Sequence, residues 1–207
     1  MTEWYLLPGM GASSAMYNAL KHRLSFNVNF VDWPEYRGEK RYSEVATRLI
    51  TENGIADGDV IGGSSLGGMI SLEIAKRIKP LAIILLGSAM YPSEVQGFLR
   101  LLSSIAEVTP ASLLQLATGK NRNLVNSMFT TADFKFIRAM CLYLAEWPGY
   151  PGPTDNVYRL HGRNDNVIPC PSTGTDVIEN AGHLLAMTHV QETAKFLENV
   201  KLKLHKK

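Results

Sequence analysis

The chain has 207 residues, an ordinary length for one domain with a sizeable hydrophobic core. Hydrophobic residues make up 45% of it and charged residues 19%, a balance typical of globular proteins and not of disordered ones. The formal net charge of +2 is too small to predict binding to nucleic acid or to an anionic membrane surface.

Cysteine content and apolar runs limit the class of protein further. The two cysteines, Cys141 and Cys170, are too few for a disulfide framework, and neither has the spacing of a metal ligand. The longest apolar run, 81–86, has the length of a strand and falls far short of the ~18 residues of a membrane span. The first apolar run starts within a few residues of Met1 and leaves no room for a signal peptide. We therefore expect a cytoplasmic protein without a membrane span.

Short apolar runs alternate with helical patterns in the first part of the chain. This alternation predicts a mostly parallel sheet with helices on both faces. Helices are predicted from Ser43, as N-cap, to Asn53-Gly54, and again over 69–78, with Pro80 after the end. Strands are predicted at 4–7 and 27–33 before the first of these helices, at 59–62 between the two, and at 81–86 after the second.

The pattern changes between 91 and 153, where helical spacing replaces strand-like runs. We predict an all-helical insertion there, between two strands of the sheet. Its apolar faces are Val95, Phe98, Leu99 and Leu102, then Phe134, Ile137, Cys141 and Leu144. Strands are predicted again at 156–160 and 176–179. A last helix is predicted from Thr188, with Thr188 and Gln191 spaced as a capping box.

The run Gly63-Ser64-Ser65-Leu66-Gly67 joins the strand at 59–62 to the helix after it. In this position the G-x-S-x-G pattern is typical of a nucleophile elbow, with Ser65 on a sharp strand-to-helix turn. Such a turn leaves no room for side chains at the two glycines, and it holds the serine in a strained backbone conformation. The alternative interpretation is a Gly-rich turn with a solvated serine.

A serine hydroxyl needs a base to accept its proton, and His183 fits that role best among the five histidines. It follows Asn180-Ala181-Gly182, in a loop at the C-terminal end of a short strand. Reacting groups converge at that edge of an open parallel sheet. The alternative is a loop histidine that only caps or packs. The others are expected in a packed strand position, on the surface or in the last helix: His161, His22, His205 and His189.

Asp165 is the best candidate for the acid that orients His183. It lies in the loop from His161 to Pro169, which follows the strand immediately before the one that leads to His183. The carboxylate and the imidazole should therefore emerge from neighbouring strands at the same sheet edge. The competing carboxylates begin a strand, precede one or fall in the helical insertion: Asp176, Asp155 and Asp133.

Two backbone N–H groups are candidates for an oxyanion hole. Leu66 follows the serine at the start of a helix, where N–H groups have no partner within the helix. The loop from Pro8 to Ser14 follows the first strand, and its glycines allow the backbone to approach a ligand closely. Met10 would donate from this loop. The alternative is an ordinary β–α turn.

Together these patterns resemble the α/β-hydrolase superfamily in its compact form. The matching segments follow the family's chain order of Ser, Asp and His, and they are Pro8–Gly11, Gly63–Gly67, His161–Pro169 and Ala181–His183. The resemblance implies an α/β fold with a mostly parallel sheet of about six strands in one domain over 1–207, with 91–153 as a helical lid. The chain departs from the family at Pro8, where His is common, and at His189, where Pro is common.

The residues and the resemblance together predict a serine hydrolase of small esters or thioesters. Ser65 would attack the carbonyl, His183 would transfer the proton, and Asp165 would fix the tautomer of His183. No metal or organic cofactor is required. The lid is rich in apolar residues, so the partner should be a small molecule with an apolar acyl or alkyl portion. Candidate liners, which could equally be core residues, are Met10, Met69 and Met90.

Other functions remain open at this stage, because a triad specifies a nucleophile and a base but no substrate. The resemblance also covers C–C lyases and ligand receptors that use the same triad with little hydrolytic turnover. A catalytically silent scaffold is a third possibility. Nothing in the sequence indicates the oligomeric state.

Overall fold

A computed structural model describes residues 2–95 and 133–206 of the chain. Within these residues, six strands form a single sheet in the order β2-β1-β3-β4-β5-β6, and every neighbouring pair is parallel. The predicted α/β fold with a mostly parallel sheet is confirmed. The strands are β1 (Trp4–Leu7), β2 (Asn29–Phe30), β3 (Val60–Ser64), β4 (Ala82–Leu86), β5 (Val157–Gly162) and β6 (Asp176–Ile178).

The helices given below vary from one turn to four turns in length. None of the helices in the described part of the chain is long and apolar enough to cross a membrane. A 3₁₀ turn at Ser14–Tyr17 precedes the first helix. The helices are α1 (Asn18–Lys21), α2 (Tyr42–Asn53), α3 (Leu66–Ala75), α4 (Phe134–Leu144), α5 (Leu185–Thr188) and α6 (Val190–Leu204).

The alternation of side chains along each strand divides the core into two clusters, one on each face of the sheet. From β1, Tyr5 and Leu7 face the cluster formed with α2, α3 and α4. Trp4 and Leu6 face the cluster formed with the 3₁₀ turn, α1, α5 and α6. The next-but-one strand of the sheet, β4, follows the same alternation. Helices therefore cover both faces, as predicted.

The predicted start of α2 is wrong. The helix begins at Tyr42, and Arg41 is the N-cap residue without a side-chain capping bond, so Ser43 lies inside the first turn. The Glu44 carboxylate instead accepts the Lys40 N–H at 2.6 Å. This bond reaches back to the residue before the N-cap and holds the chain where it enters the first turn. The end is as predicted, because Gly54 has the left-handed φ of 66° that suits glycine.

The predicted capping box at the last helix is also wrong. Thr188 ends the short helix α5, and α6 begins after His189, which makes no side-chain capping bond. The Thr188 hydroxyl donates to the Leu184 carbonyl one turn earlier, at 3.1 Å. This local bond competes with capping of the next helix, and it explains why the sequence pattern misplaced the start.

Strand and helix ends near the sheet edge also differ from the expectations. β2 is shorter than predicted because it is an edge strand, and only Asn29 and Phe30 pair with β1. β3 extends to Ser64 because it pairs with strands on both sides. α3 begins directly after Ser65 and ends at Ala75, three residues earlier than predicted.

Part of the predicted insertion, 96–132, lies outside the described residues, and so do its apolar positions Phe98, Leu99 and Leu102. Its described part contains α4, in which Cys141 and Leu144 are buried as predicted. Phe134 was wrongly placed on that face, because it is 54% exposed while Phe136 is buried. Asp133 precedes Phe134 and caps the helix by accepting the Lys135 and Phe136 N–H groups, which turns Phe134 outward.

Candidate active site

Ser65 lies on the sharp turn between β3 and α3. Its φ of 51° and ψ of −118° make it the non-glycine residue with positive φ among the residues described. A non-glycine residue is strained in this region of backbone space, and such strain persists only where the surroundings hold it. The Ser65 N–H donates to the Leu86 carbonyl at 3.0 Å, which holds the turn against the end of β4.

The glycines on either side of Ser65 are required by the close approach of β1. A Cβ atom at Gly63 or at Gly67 would overlap the carbonyl oxygen of Leu7, and at Gly67 it would also overlap that of Pro8. The prediction that this turn leaves no room for side chains is therefore confirmed. The same close approach brings the loop after β1 next to the serine.

The structure brings Ser65, His183 and Asp165 together. His183 Nε2 lies 3.0 Å from Ser65 Oγ, and His183 Nδ1 lies 2.9 Å from Asp165 Oδ2. An ionised carboxylate can only accept, so Nδ1 carries the hydrogen and donates it to Asp165. Nε2 is then free to accept the serine proton. This is the hydrogen-bond order that a serine nucleophile and its base require.

The Asp165 carboxylate is fully buried and accepts three hydrogen bonds, with a fourth polar group close by. Oδ1 accepts the N–H groups of Val167 and Ile168, each at 2.9 Å. Oδ2 faces His183 Nδ1 and, at 3.1 Å, His161 Nε2. Burial alone would raise the pKa of Asp165. The charge of His183 and the hydrogen bonds outweigh burial and hold that pKa well below its usual range.

His161 is packed and hydrogen-bonded, as the sequence predicted, and it lies beside the Asp165 carboxylate. The ring is 1% exposed and comes from the end of β5. Its Nε2 lies 2.8 Å from the Ile168 carbonyl and 3.1 Å from Asp165 Oδ2. Both neighbours are acceptors, so Nε2 carries a hydrogen. His161 donates it to the Ile168 carbonyl, with Asp165 Oδ2 as a close neighbour.

The loop after β1 passes beside Ser65. A Cβ atom at Gly9 would lie 3.9 Å from Ser65 Cβ. Gly11 has a positive φ of 72°, a conformation that suits glycine and turns the loop back. Met10 is half-buried, and its Sδ lies 3.3 Å from Cys141 Sγ on α4. Leu66 is the first residue of α3, directly after Ser65.

The other candidates from the sequence lie away from the triad or in the core. Asp133 caps α4, and Asp176 begins β6 at the opposite end of that strand from His183. Met69 and Met90 are 2% and 7% exposed and belong to the core cluster that contains α3 and α4. In the two described stretches, 2–95 and 133–206, no three His, Cys, Asp or Glu side chains are arranged to hold a metal ion.

Comparison with known proteins decides the family. A sequence profile described as the alpha/beta hydrolase family matches residues 5–196. The chain belongs to the alpha/beta hydrolase family. No curated protein sequence matches the chain.

Solved structures share the fold of this alpha/beta hydrolase at low sequence identity. A thermophilic esterase from Thermogutta terrifontis is 19% identical with a TM-score of 0.74, over 99% of this chain and 91% of that one. A protein assigned as a lipase from Acinetobacter baumannii AYE is 16% identical with a TM-score of 0.73, over 99% of this chain and 85% of that one. A meta-cleavage product hydrolase from Pseudomonas fluorescens IP01 is 14% identical with a TM-score of 0.69, over 98% of this chain and 91% of that one.

Two supporting residues of this alpha/beta hydrolase were missed in the sequence. The hydroxyl of Tyr17, which is fully buried, donates to the Leu7 carbonyl at 2.7 Å and accepts the Ser64 N–H at 3.0 Å. It thereby joins the ends of β1 and β3, and burial raises the pKa of the hydroxyl. The Ser88 hydroxyl donates to the Ser65 carbonyl at 2.7 Å. Neither residue belongs to a local pattern, because their partners are distant in the chain.

Proposed function

We propose that this alpha/beta hydrolase is a serine hydrolase that cleaves small esters or thioesters through an acyl-enzyme. Ser65 Oγ attacks the carbonyl carbon while His183 Nε2 takes its proton. His183 then returns that proton to the leaving alcohol or thiol, and water repeats the cycle to release the acid. The observation that carries this proposal is the continuous chain of hydrogen bonds from Ser65 Oγ through His183 to Asp165, at 3.0 and 2.9 Å.

Asp165 has an orienting role in this mechanism. Its depressed pKa keeps it an acceptor, so the neutral form of His183 donates its Nδ1–H to Asp165 and presents a bare Nε2 to the serine. The developing imidazolium also gains from the adjacent negative charge. The N–H groups of Val167 and Ile168 hold the other oxygen, Oδ1, and so fix the direction of the carboxylate.

The oxyanion that forms on attack would be held by the N–H groups of Met10 and Leu66. Leu66 is the first residue of α3, where N–H groups have no partner within the helix and the helix dipole favours negative charge. Met10 follows Gly9, which lies against Ser65. Backbone donors of this kind stabilise the transition state because they are oriented before the reaction begins.

Apolar groups near the nucleophile favour a substrate with an apolar acyl or alkyl portion. The side chain of Met10 is half-buried and contacts Cys141 of α4, which belongs to the proposed lid segment 91–153 of a single domain. Burial raises the pKa of the Cys141 thiol to about 12, so it would present a neutral surface. Met69 and Met90 are buried in the same core cluster, so Met10 is the stronger candidate for contact with the substrate.

The test is a series of p-nitrophenyl esters with acyl chains of increasing length, together with the matching thioesters. We expect the wild type to turn over at least the short and medium chains, and Ser65→Ala and His183→Ala to lose that turnover while they keep their thermal stability. Equal turnover by all three proteins would contradict the proposal. Tight binding of the esters with negligible turnover would instead favour a ligand receptor, and cleavage of a β-diketone without ester turnover would favour C–C cleavage.

A further inference from the structure

The peptide that joins Gly9 to Met10 is held by its carbonyl group. Gly9 O accepts the indole N–H of Trp33 at 3.0 Å and the Ala12 N–H at 3.1 Å. In a trans peptide the C=O and N–H groups point in opposite directions. Fixing the direction of the Gly9 carbonyl therefore fixes the direction of the Met10 N–H.

The Trp33 bond differs in kind from the Ala12 bond. Ala12 belongs to the same turn as Gly9 and moves with it. Trp33 lies beyond β2, 24 residues away, so its bond ties the peptide to a part of the molecule outside this turn. Its preceding residue, Asp32, holds the other end of the loop, because its carboxylate accepts the Ser14 N–H at 2.6 Å and the Ser14 hydroxyl at 3.0 Å. Asp32 and Trp33 together clamp the loop at both ends.

Trp33 is itself held by the helix that lies over the site. Its ring packs against Phe136 of α4, with ring centroids 5.2 Å apart. The Met10 side chain contacts the same helix through Cys141. Helix α4 is therefore connected to the Gly9–Met10 peptide through two side chains, the indole of Trp33 and the thioether of Met10.

From this geometry we infer that Trp33 is a positioning residue for the oxyanion hole, acting through the Gly9 carbonyl on the Met10 N–H. The inference rests on the proposed serine hydrolase function. Trp33 does not contact the reacting atoms. Without its N–H, the Gly9–Met10 peptide can rotate, and the Met10 N–H must be reoriented when the oxyanion forms. A donor that needs reorientation stabilises the transition state less, while binding of the uncharged substrate is little changed.

The experiment compares Trp33→Phe with the wild type. Phenylalanine keeps an aromatic ring beside Phe136 and removes the N–H. We expect kcat to fall about tenfold, less than the ~10²–10³-fold cost of deleting an oxyanion donor, with KM within about twofold. Affinity for a trifluoromethyl ketone, which forms an oxyanion on Ser65, should fall by the same factor as kcat. A general loss of stability would not lower kcat and the affinity for the ketone by the same factor.

Trp147→Phe is the matched control. It removes the same group from an indole that donates to Glu73 at 3.0 Å and does not contact Gly9. We expect kcat and ketone affinity of this variant to stay within about twofold of wild type. If Trp33→Phe does not fold, benzothienylalanine at position 33 replaces only the N–H by sulfur and keeps the shape of the ring.

The results distinguish failure of the role of Trp33 from failure of the proposed serine hydrolase function. Wild-type kcat and ketone affinity in Trp33→Phe, or in the benzothienylalanine protein, would overturn the role of Trp33 while the serine hydrolase mechanism stands. Equal losses in Trp33→Phe and Trp147→Phe would also overturn it, since they would indicate a general effect of stability. Failure of the wild type to turn over esters or to bind the ketone would overturn the proposed function, and the role of Trp33 with it.

Discussion

The two sides of the candidate site are built differently. On the sheet side, Ser65 and Asp165 are held by groups close by in the chain or on the next strand, such as the Val167 and Ile168 N–H groups on Asp165. On the helix side, the loop that contains Gly9 and Met10 contacts Trp33 and Cys141, which are 24 and 131 residues away from their partners. The position of Ser65 is thus set at the sheet edge, whereas the direction of the Met10 N–H follows from contacts between distant residues.

This difference predicts how the two sides respond to change. Substitutions on the sheet side should abolish chemistry outright, because they remove a group that takes part in each turnover or the atom that orients it. Substitutions on the helix side should each weaken transition-state binding only partly, so turnover is lowered and not abolished. The predictions below sharpen this contrast on the sheet side, in order of decreasing effect.

Ser65→Ala should have the largest effect. We expect kcat for the best p-nitrophenyl ester to fall by about 10⁴-fold or more, because the variant lacks the hydroxyl that His183 Nε2 contacts. Ser64→Ala is the control, since the neighbouring hydroxyl contacts Tyr17 and not His183. Activity of Ser65→Ala equal to that of Ser64→Ala would place the nucleophile elsewhere.

Asp165→Asn should lower kcat by about 10²–10⁴-fold, because an amide can present its NH₂ group to His183 and favour the wrong tautomer. Thermal unfolding should show that the variant still folds. His161→Gln is the companion variant, because it changes the other side chain beside Oδ2 while leaving the carboxylate in place. We expect a much smaller loss of kcat there. A larger loss in His161→Gln than in Asp165→Asn would reverse the assigned roles.

The depressed pKa of Asp165 also predicts a pH dependence of stability. A carboxyl group whose pKa is lower in the folded than in the unfolded state stabilises the fold above its unfolded pKa, about 3.9, and loses that contribution as pH falls towards the folded pKa. The difference in unfolding free energy between wild type and Asp165→Asn should therefore be smaller below about pH 4 than at pH 7. Urea titrations across that range measure it. A difference that grows as the pH falls would contradict the direction of the shift.

Gly67→Ala should destabilise the elbow by about 1–3 kcal/mol, because the new methyl group overlaps the backbone carbonyl oxygens of Leu7 and Pro8, which cannot move independently of β1. Activity should fall with it, since α3 and Ser65 must shift. Gly54→Ala is the control, as nothing lies within 4 Å of its new Cβ and only the positive φ of 66° is strained. Urea unfolding and ester turnover together should separate the two variants.

Tyr17→Phe should have the smallest effect on chemistry. Removal of the hydroxyl leaves the buried Leu7 carbonyl and Ser64 N–H without this partner, which costs about 1–3 kcal/mol of stability. The triad itself is untouched, so kcat below the melting temperature should change by less than about fivefold. Differential scanning calorimetry and ester kinetics at 25 °C give the two numbers. A loss of kcat as large as that of Asp165→Asn would show that this strand junction controls the nucleophile directly.

The sequence could place Ser65, Asp165 and His183 at one sheet edge because the signals for these positions are local. The glycines around Ser65, the loop containing Asp165 and the loop before His183 each lie next to the strand that positions them. The sequence singled out Met10 in the loop after β1 but not Trp33, because Trp33 meets Gly9 only after the chain has folded, and a single tryptophan after an edge strand has no distinctive pattern.

The errors in the predicted elements have the same physical origin. Ser43 and Thr188 match capping patterns, but neither caps a helix. Ser43 lies inside the first turn of α2, where Glu44 accepts the N–H of Lys40. The Thr188 hydroxyl donates to the Leu184 carbonyl. The edge strand β2 is shorter than its apolar run, because pairing with β1 is limited to Asn29 and Phe30. Local propensity therefore placed the elements correctly, and tertiary contacts decided where they begin and end.

Covalent labelling with a fluorophosphonate tests the central claim most directly, because the reagent reacts with a serine only when a base activates it. The adduct is located by tandem mass spectrometry of the peptide that contains both Ser64 and Ser65. The account predicts one adduct, on Ser65, in the wild type, and none on this peptide in Ser65→Ala or His183→Ala. An adduct on another residue, or equal labelling of all three proteins, would contradict it.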